Sequence, residues 1–221
     1  MFYSHVDCYG EPLENKIDKL FKQKENGFYI ELGANDGIAQ SNTVFLERIR
    51  KWTGMLIEPS RTGYELCLKS RPNSLCYNCA CVSDDYKEEF VYGDFEDNIN
   101  SLMASIDGNR LGSNKLTQVN ARTLENILDS SNITSNIDFL SLDTEGYELK
   151  ILKGLNLDRY RPNYMLIEIY NKDYNEIITF LQEKKYSLVC NFSNYNLNTN
   201  PGWDGSHNDY LFVDNMYIEI H

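Results

Sequence analysis

Short apolar runs alternate with amphipathic stretches along the chain, and this alternation limits the folds that the sequence can adopt. Residues 27–32 form an apolar run that ends in the glycine-containing loop 33–37, and a helical pattern follows over 41–50. The same order recurs with an apolar run at 54–58 and a helical pattern over 61–70. Strands that are buried on both faces are apolar throughout, and the helices that connect them cover those faces. The pattern therefore predicts an α/β fold with a mostly parallel sheet and helices on both sides.

The rest of the chain continues this pattern. Strands are predicted at 74–82, 88–92, 117–120, 137–142, 164–169, 186–191 and 210–218, and helices at 13–24, 122–128, 174–183 and in a stretch that ends near 152. The polar stretch 93–116 is predicted to be a long loop. Because no linker or internal repeat interrupts the pattern, residues 1–221 are expected to form one domain, with an N-terminal helical segment over 1–25.

Charge and hydropathy exclude several classes of partner. The formal net charge is -12, with 33 acidic residues against 21 Lys and Arg, so the chain repels polyanions and a nucleic-acid partner is not expected. No apolar run approaches the roughly 18 residues that span a bilayer, and the N-terminus lacks a signal-peptide pattern. We therefore expect no membrane insertion, a cytoplasmic location and reduced cysteines.

Candidate ligand-binding residues follow the predicted parallel strands, because ligands bind beyond the carboxyl ends of the strands in an open sheet. They lie in four places: 31–37, Glu58, 143–146 and Glu168. The first loop has glycines only at 33 and 37, with Glu31 and Asp36 beside them, so it differs from the dinucleotide pattern G-x-G-x-x-G. Carboxylates disfavour a pyrophosphate but can receive an ammonium group. A purely structural turn is the alternative.

Glu58 ends the next predicted strand, where an acid can accept hydrogen bonds from both hydroxyls of a ribose. The alternative is an exposed acid at a strand end. Together with the first loop, Glu58 favours a ligand that contains adenosine.

Five segments, taken in order, resemble the FkbM-type methyltransferases. They are ELGANDG at 31–37, SNT at 41–43, WTG at 52–54, IEP at 57–59 and IDFLSLDTEGYE at 137–148, and the similarity spans about 27–169. The resemblance implies a Rossmann-like class I methyltransferase fold: a doubly wound, mostly parallel sheet with an antiparallel C-terminal strand. It also implies S-adenosylmethionine as the cofactor.

By this resemblance, the cofactor-binding residues come from four parts of the chain. The methionine part is expected at Glu31, Gly33, Asn35, Asp36 and Ser41 or Asn42, the ribose at Glu58 and Pro59, the adenine at Ala80, Cys81 and Val82, and a further contact at Asp143. Many methyltransferases carry an Asp in the adenine region. Residues 78–80 have none, so the sequence departs from the pattern there.

Catalysis of methyl transfer mainly requires alignment of the acceptor and removal of its proton. Asp143 and Glu145 follow one predicted strand and Glu168 lies in the next, so these carboxylates are expected to converge as catalytic groups. Whether Asp143 and Glu168 also hold a divalent metal is left open. The alternatives are helix capping for Asp143 and Glu145, and a buried ion pair for Glu168. His207 is a candidate general base, or a solvated loop histidine.

The resulting hypothesis is an S-adenosylmethionine-dependent O-methyltransferase. Members of the resembled family act on sugar, glycolipid and polyketide hydroxyls, so a small-molecule or glycan acceptor, most simply a sugar, is expected. Trp203, Tyr195 and Tyr170 offer flat surfaces for a sugar ring. Two alternatives are a nucleotide-dependent oxidoreductase, which needs a glycine-rich turn that is missing, and a non-catalytic Rossmann-like binding module. An oligomer is neither required nor excluded.

Overall fold

The structure is a computed structural model that describes residues 2–95, 105–106, 116–131, 133 and 136–218. Most of the loop predicted over 93–116 lies outside the described residues. In chain order the elements are α1 (Leu13–Leu20), β1 (Phe28–Leu32), α2 (Val44–Arg50), β2 (Thr53–Ile57), α3 (Arg61–Ser70), β3 (Ser74–Tyr77), β4 (Ala80–Cys81), β5 (Phe90–Gly93), β6 (Thr117–Arg122), α4 (Leu124–Ser130), β7 (Phe139–Leu142), α5 (Glu148–Lys153), β8 (Tyr164–Tyr170), α6 (Tyr174–Glu183), β9 (Tyr186–Asn191), β10 (His207–Asp214) and α7 (Asn215–Ile218).

The described strands form a seven-stranded sheet in the order β3-β2-β1-β7-β8-β10-β9 and a small sheet in the order β4-β6-β5. In the large sheet the pairs from β3 to β8 are parallel, whereas β10 runs antiparallel to both β8 and β9. The predicted mostly parallel sheet with an antiparallel C-terminal strand is confirmed.

Helices cover both faces of the large sheet, because alternate residues of a strand point to opposite faces. Ile30 of β1 belongs to a core cluster that includes Ile127 of α4 and Ile177 of α6. Its neighbour Tyr29 belongs to a second cluster, which includes Ile17 of α1. Burial of β1 along its whole length explains why the strand is apolar on both faces.

Three predicted boundaries are corrected. Residues 74–82 form two strands rather than one: β3 lies in the large sheet, whereas β4 pairs with β6 in the small one. Between them the side chain of Asn78 donates hydrogen bonds to the carbonyls of Glu58 and Pro59, at 3.0 and 2.8 Å, and redirects the chain. The last strand begins earlier than predicted and ends at Asp214, whose carboxylate accepts the N–H of Met216 and begins α7.

The third correction concerns the opening helix, which ends at Leu20 rather than near residue 24. Lys22 and Gln23 have φ values of 49° and 61°, in the left-handed region that ends a helix. The turn brings the chain back toward β1.

The order of the strands creates a switch point between β1 and β7, because the chain leaves β1 toward β2 and later returns on the other side. Gly33 follows β1 with a φ of 78°, and a Cβ there would lie 1.8 Å from the carbonyl oxygen of Asp143, which follows β7. Only glycine permits this approach. The ends of the two strands therefore meet where a doubly wound sheet binds its ligand.

Candidate active site

A cleft of about 1090 Å³, part of it open to solvent, lies at this edge of the sheet. Its walls contain nine of the predicted site residues, from four segments of the chain: Gly33, Asn35 and Ser41 after β1, Glu58 and Pro59 after β2, Ala80 and Cys81 in β4, and Asp143 and Glu145 after β7. The structure thus brings together residues that are more than a hundred positions apart in the sequence.

Glu58 connects two of the loops that form the cleft. One carboxylate oxygen accepts the backbone N–H of Asn35 at 2.7 Å, and the other accepts that of Ser60 at 2.8 Å. Burial raises the pKa of Glu58 to about 7, although both backbone hydrogen bonds act in the opposite direction. Each carboxylate oxygen retains further acceptor capacity, so Glu58 can still receive hydroxyl groups from a ligand.

The loop after β1 is held in an uncommon backbone conformation. Asn35 has a φ of 49°, and it lines the cleft directly after the close contact of Gly33. In the loop after β7, Glu145, which also lines the cleft, has a φ of 59° and the next residue, Gly146, one of 97°. Left-handed backbone at non-glycine residues is uncommon and often occurs at functional sites.

Four predicted cofactor-binding residues do not line the cleft: Glu31, Asp36, Asn42 and Val82. Glu31 is buried below the loop, where it accepts hydrogen bonds from the Ser41 hydroxyl, the Asn42 N–H and the Thr43 hydroxyl. Asp36 accepts the N–H groups of residues 38 and 39, so it closes a turn. The side chains of Glu31 and Asp36 thus hold the backbone of the loop, and their geometry indicates an indirect role in ligand binding.

Asp143 belongs both to the wall of the cleft and to a group of acids beneath it, which we call the acid cluster: Asp143, Glu145, Glu148, Glu168 and Asp209. Burial raises the pKa of Asp143 well above its ordinary value, and the charges of Glu145, Asp209 and Glu148 raise it further. Burial and the charge of Asp143 raise the pKa of Glu168 in the same direction. Repulsion between these buried carboxyls favours a proton on Asp143 or Glu168.

Within the acid cluster, Glu148 begins α5 and holds the turn that precedes this helix. Its Oε1 accepts the Thr144 N–H at 2.9 Å, the Thr144 hydroxyl at 3.0 Å and the Gly146 N–H at 3.1 Å. The residue at the N-cap position of α5, Tyr147, makes no capping hydrogen bond with its side chain, and Glu145 accepts the hydroxyl of Tyr170 at 2.7 Å.

Glu168 and His207 lie behind the wall of the cleft and contact each other. His207 Nε2 is 3.3 Å from Glu168 Oε1, and His207 Nδ1 is 3.0 Å from the Ser206 hydroxyl. The His207 side chain is 20% exposed, whereas that of Glu168 is 8% exposed. The buried Glu168 Oε2 has no hydrogen-bond partner among the described residues. A proton on Asp143 or Glu168 would permit a hydrogen bond between their carboxyls.

Three aromatic side chains surround His207. The ring of Tyr170 lies 5.3 Å from the His207 ring and that of Tyr195 lies 6.2 Å from it. Trp203 lies 6.4 Å from Tyr195 and donates its indole N–H to the His207 carbonyl at 2.7 Å. Of the three aromatic residues predicted to meet a sugar, Tyr170 is buried, whereas Tyr195 and Trp203 are partly exposed.

Three features were not predicted from the sequence: the position of Asp209 in the acid cluster, its hydrogen bond with Tyr195, and the burial of Arg71. Asp209 stands opposite Glu168 in the β8–β10 register, and its hydrogen bond with Tyr195, together with burial, raises the pKa of Tyr195. The polar run 205–210 reads as a loop, so no local pattern marks Asp209. Only the pairing of β10 against β8 reveals it.

Among the residues that the structure describes, no group of three or more His, Cys, Asp or Glu side chains is arranged to hold a metal ion. Over the same residues, every helix is too short or too polar to cross a membrane.

Several solved methyltransferase structures are similar to this chain at low sequence identity. Precorrin-6y C5,15-methyltransferase from Geobacter metallireducens GS-15 has a TM-score of 0.50 and 9% identity, and the match covers 96% of this chain and 93% of that one. A methyltransferase from Geobacter sulfurreducens in complex with S-adenosyl-L-homocysteine has a TM-score of 0.48 and 8% identity, with coverage of 96% and 93%. A SAM-dependent methyltransferase from Aquifex aeolicus has a TM-score of 0.46 and 11% identity, with coverage of 90% and 89%.

The mostly parallel sheet and the cleft at its switch point define the class I methyltransferase fold. The model of the Methyltransferase FkbM domain matches residues 31–188, so the chain belongs to the FkbM methyltransferase family. This confirms the resemblance and the cofactor inferred from the sequence, and it sets the oxidoreductase alternative aside. No curated protein matches the chain.

Proposed function

We propose that this protein transfers a methyl group from S-adenosylmethionine to a hydroxyl oxygen, and that the acceptor is a sugar or glycan. The observation that carries the proposal is the position of Asp143. Its carboxyl forms part of the cofactor cleft and is continuous with a buried acid cluster that ends at the partly exposed His207. A hydroxyl bound there meets a proton acceptor beside the reacting methyl group.

The direction of the cofactor in the cleft follows from Glu58. If its carboxylate receives the ribose hydroxyls, the adenine lies toward Ala80 and Cys81, which line the cleft on the β4 side. The methionine part then lies toward the loop after β1. This direction brings the sulfonium toward Asp143, where carboxylates favour a positive charge.

Methyl transfer to a hydroxyl releases one proton, and the acid cluster suits its removal. S-adenosylmethionine supplies the electrophilic methyl group. Burial and neighbouring acids raise the pKa of Asp143 and Glu168 above the ordinary value of a carboxyl, so the ionised form of either acid is a stronger base than a free carboxylate. We assign removal of the hydroxyl proton to Asp143, its onward transfer to Glu168 and then to the partly exposed His207, and orientation of the acceptor to Glu145.

The sugar acceptor is supported by the surroundings of His207. Tyr195 and Trp203 provide partly exposed aromatic surface beside hydrogen-bonding groups, a combination that suits a polyhydroxylated ring, and the buried Tyr170 packs against His207. The net charge of -12 and the acid cluster disfavour an anionic acceptor.

The proposal is tested by methyl transfer from isotope-labelled S-adenosylmethionine to a panel of neutral sugars, each paired with a deoxy analogue that lacks one hydroxyl. Transfer should disappear with the deoxy analogue of the methylated position. Asp143→Asn should lower turnover by about 10²–10⁴-fold, the usual contribution of a general base, and retain binding of S-adenosylhomocysteine. Glu176→Gln is the matched control, because Glu176 is an exposed acid on α6 that pairs with Lys153.

Full turnover by Asp143→Asn would reject the catalytic assignment. Methylation of an amine or thiol in preference to every hydroxyl offered would reject O-methylation.

A further inference from the structure

Arg71 is a fully buried arginine that directly follows α3 and lies outside the cleft. Its guanidinium makes five hydrogen bonds, which equals the number of its N–H groups. The acceptors are Glu47 at 2.7 Å, Tyr29 hydroxyl at 2.7 Å, Gly37 carbonyl at 2.9 Å, Thr43 hydroxyl at 2.9 Å and Ser41 hydroxyl at 3.3 Å. A side chain with this many partners constrains all the segments that it joins.

Three of these acceptors belong to one segment, residues 37–43, which we call the β1–α2 loop. Ala39, Gln40 and Ser41 of this loop line the cofactor cleft. Arg71 therefore contacts the far side of the same loop whose near side faces the ligand.

The end of α3 supports the preceding residues as well. The Ser70 hydroxyl donates to the Asp36 carbonyl at 2.8 Å. A Cβ on Gly37 would lie 2.9 Å from Cγ of Arg71, so the loop backbone packs directly against the arginine side chain. A change at position 71 must consequently alter the path of the loop.

Arg71 is itself anchored on the side away from the cleft. Its Nε donates to Glu47, which also accepts the hydroxyls of Tyr29 and Ser74, each at 2.5 Å. Glu31, which holds Ser41 and Thr43, lies 3.6 Å from the guanidinium. The planar fork thus joins the loop to two buried carboxylates at once, a geometry that the single ammonium of lysine cannot reproduce.

We infer that Arg71 is a positioning residue that shapes the β1–α2 loop to receive the amino-acid part of the cofactor. The inference rests on the cofactor direction proposed above, in which Glu58 takes the ribose and the loop takes the methionine part. It does not depend on the identity of the acceptor. The inference predicts an effect at only one end of the ligand, because none of the five hydrogen bonds of Arg71 reaches the cleft walls at Glu58 or Cys81.

The test compares two ligands that share adenine, ribose and a thioether, namely S-adenosylhomocysteine and 5′-methylthioadenosine, which lacks the amino-acid group. Dissociation constants are measured by calorimetry for the wild-type protein, Arg71→Lys and Arg161→Lys. Arg161 is the matched control, because it forms a similar fork with Asp214 at 2.6 and 2.8 Å, is only 15% exposed and also binds two carbonyls, before β8 at the opposite edge of the sheet.

Arg71→Lys is expected to weaken S-adenosylhomocysteine at least tenfold and 5′-methylthioadenosine less than twofold, whereas Arg161→Lys alters neither affinity. Equal weakening of both ligands, weakening of neither, or the same selective loss in Arg161→Lys would overturn the inference. Glu58→Gln is included because it should weaken both ligands. If it weakens neither, the cofactor direction is wrong and the role of Arg71 is rejected with it.

Should Arg71→Lys fail to unfold cooperatively, Thr43→Val decides the question. Valine keeps the shape of this buried side chain but removes the hydroxyl that joins Arg71 to Glu31. At least a threefold loss for S-adenosylhomocysteine with unchanged 5′-methylthioadenosine supports the inference, and any unselective result refutes it.

Discussion

Replacement of Glu58 by glutamine tests the cofactor direction through its dependence on pH. Burial raises the pKa of Glu58 to about 7, so in the free protein this carboxyl changes its charge near neutrality. Only the ionised form can accept hydrogen bonds from both ribose hydroxyls while it keeps the N–H groups of Asn35 and Ser60. Cofactor affinity should therefore rise with pH until Glu58 is ionised.

The magnitude follows from that pKa. With a pKa of about 7, roughly one tenth of Glu58 is ionised at pH 6 and roughly nine tenths at pH 8. Wild-type affinity for S-adenosylhomocysteine should thus increase about tenfold between these values, or about 1.4 kcal/mol. In Glu58→Gln the amide must also direct its NH₂ group at one of the two backbone donors. Loss of charge-assisted acceptors should weaken binding at pH 8 by about 1.5–3 kcal/mol, or roughly 10–100-fold.

The assay is isothermal titration calorimetry with S-adenosylhomocysteine at several pH values from 6 to 8, in buffers of equal ionic strength. The expected outcome is a tenfold rise for the wild-type protein and a smaller, flatter response for Glu58→Gln. Wild-type affinity that does not change with pH, or a glutamine variant with wild-type affinity at pH 8, would refute the reasoning.

Three further predictions concern stability and metal. Gly33→Ala should lower the free energy of unfolding by about 3 kcal/mol or more, because the new Cβ would lie 1.8 Å from a carbonyl oxygen at a φ of 78°; urea titration measures this, with Gly202→Ala as control, since a Cβ there meets nothing within 4 Å. The raised pKa of Glu168 contributes stability that is present at acidic pH and lost as pH rises, so the free energy of unfolding should fall as the pH rises above 4.5, the ordinary pKa of this side chain, and fall less in Glu168→Gln; equal slopes would contradict this. Thorough chelation should leave methyl transfer unchanged, and a loss that Mg²⁺ restores would instead establish a metal at Asp143 and Glu168.

The residues at the ends of the parallel strands were predictable because periodicity and topology act together. An apolar run that stops at a glycine or an acid marks the carboxyl end of a buried strand, and all such ends share one edge. Gly33, Glu58 and Asp143 could therefore be assigned to one cleft from the sequence, and they line it.

Residues that depend on the pairing of distant segments could not be predicted. Asp209 reaches Glu168 only through the antiparallel register of β10 and β8, and the polar residues around it resemble a loop. Arg71 ends a helix without any local feature that separates it from a surface arginine, yet it is fully buried. The short strand β4 was also missed, because its separation from β3 depends on the side chain of Asn78.

The acids around the cleft differ in role because they differ in the donors that surround them. Glu31 accepts hydrogen bonds from two hydroxyls and one N–H and lies near a buried guanidinium, so its acceptor capacity is used within the loop. Glu58 has two backbone donors and further acceptor capacity, which suits recognition of a ligand. Glu168 has an oxygen without a hydrogen-bond partner among the described residues and lies beside other acids, so it favours a proton. Residue type and strand position locate such carboxylates, but their donors come from distant segments, and the role of each acid is therefore a property of the fold.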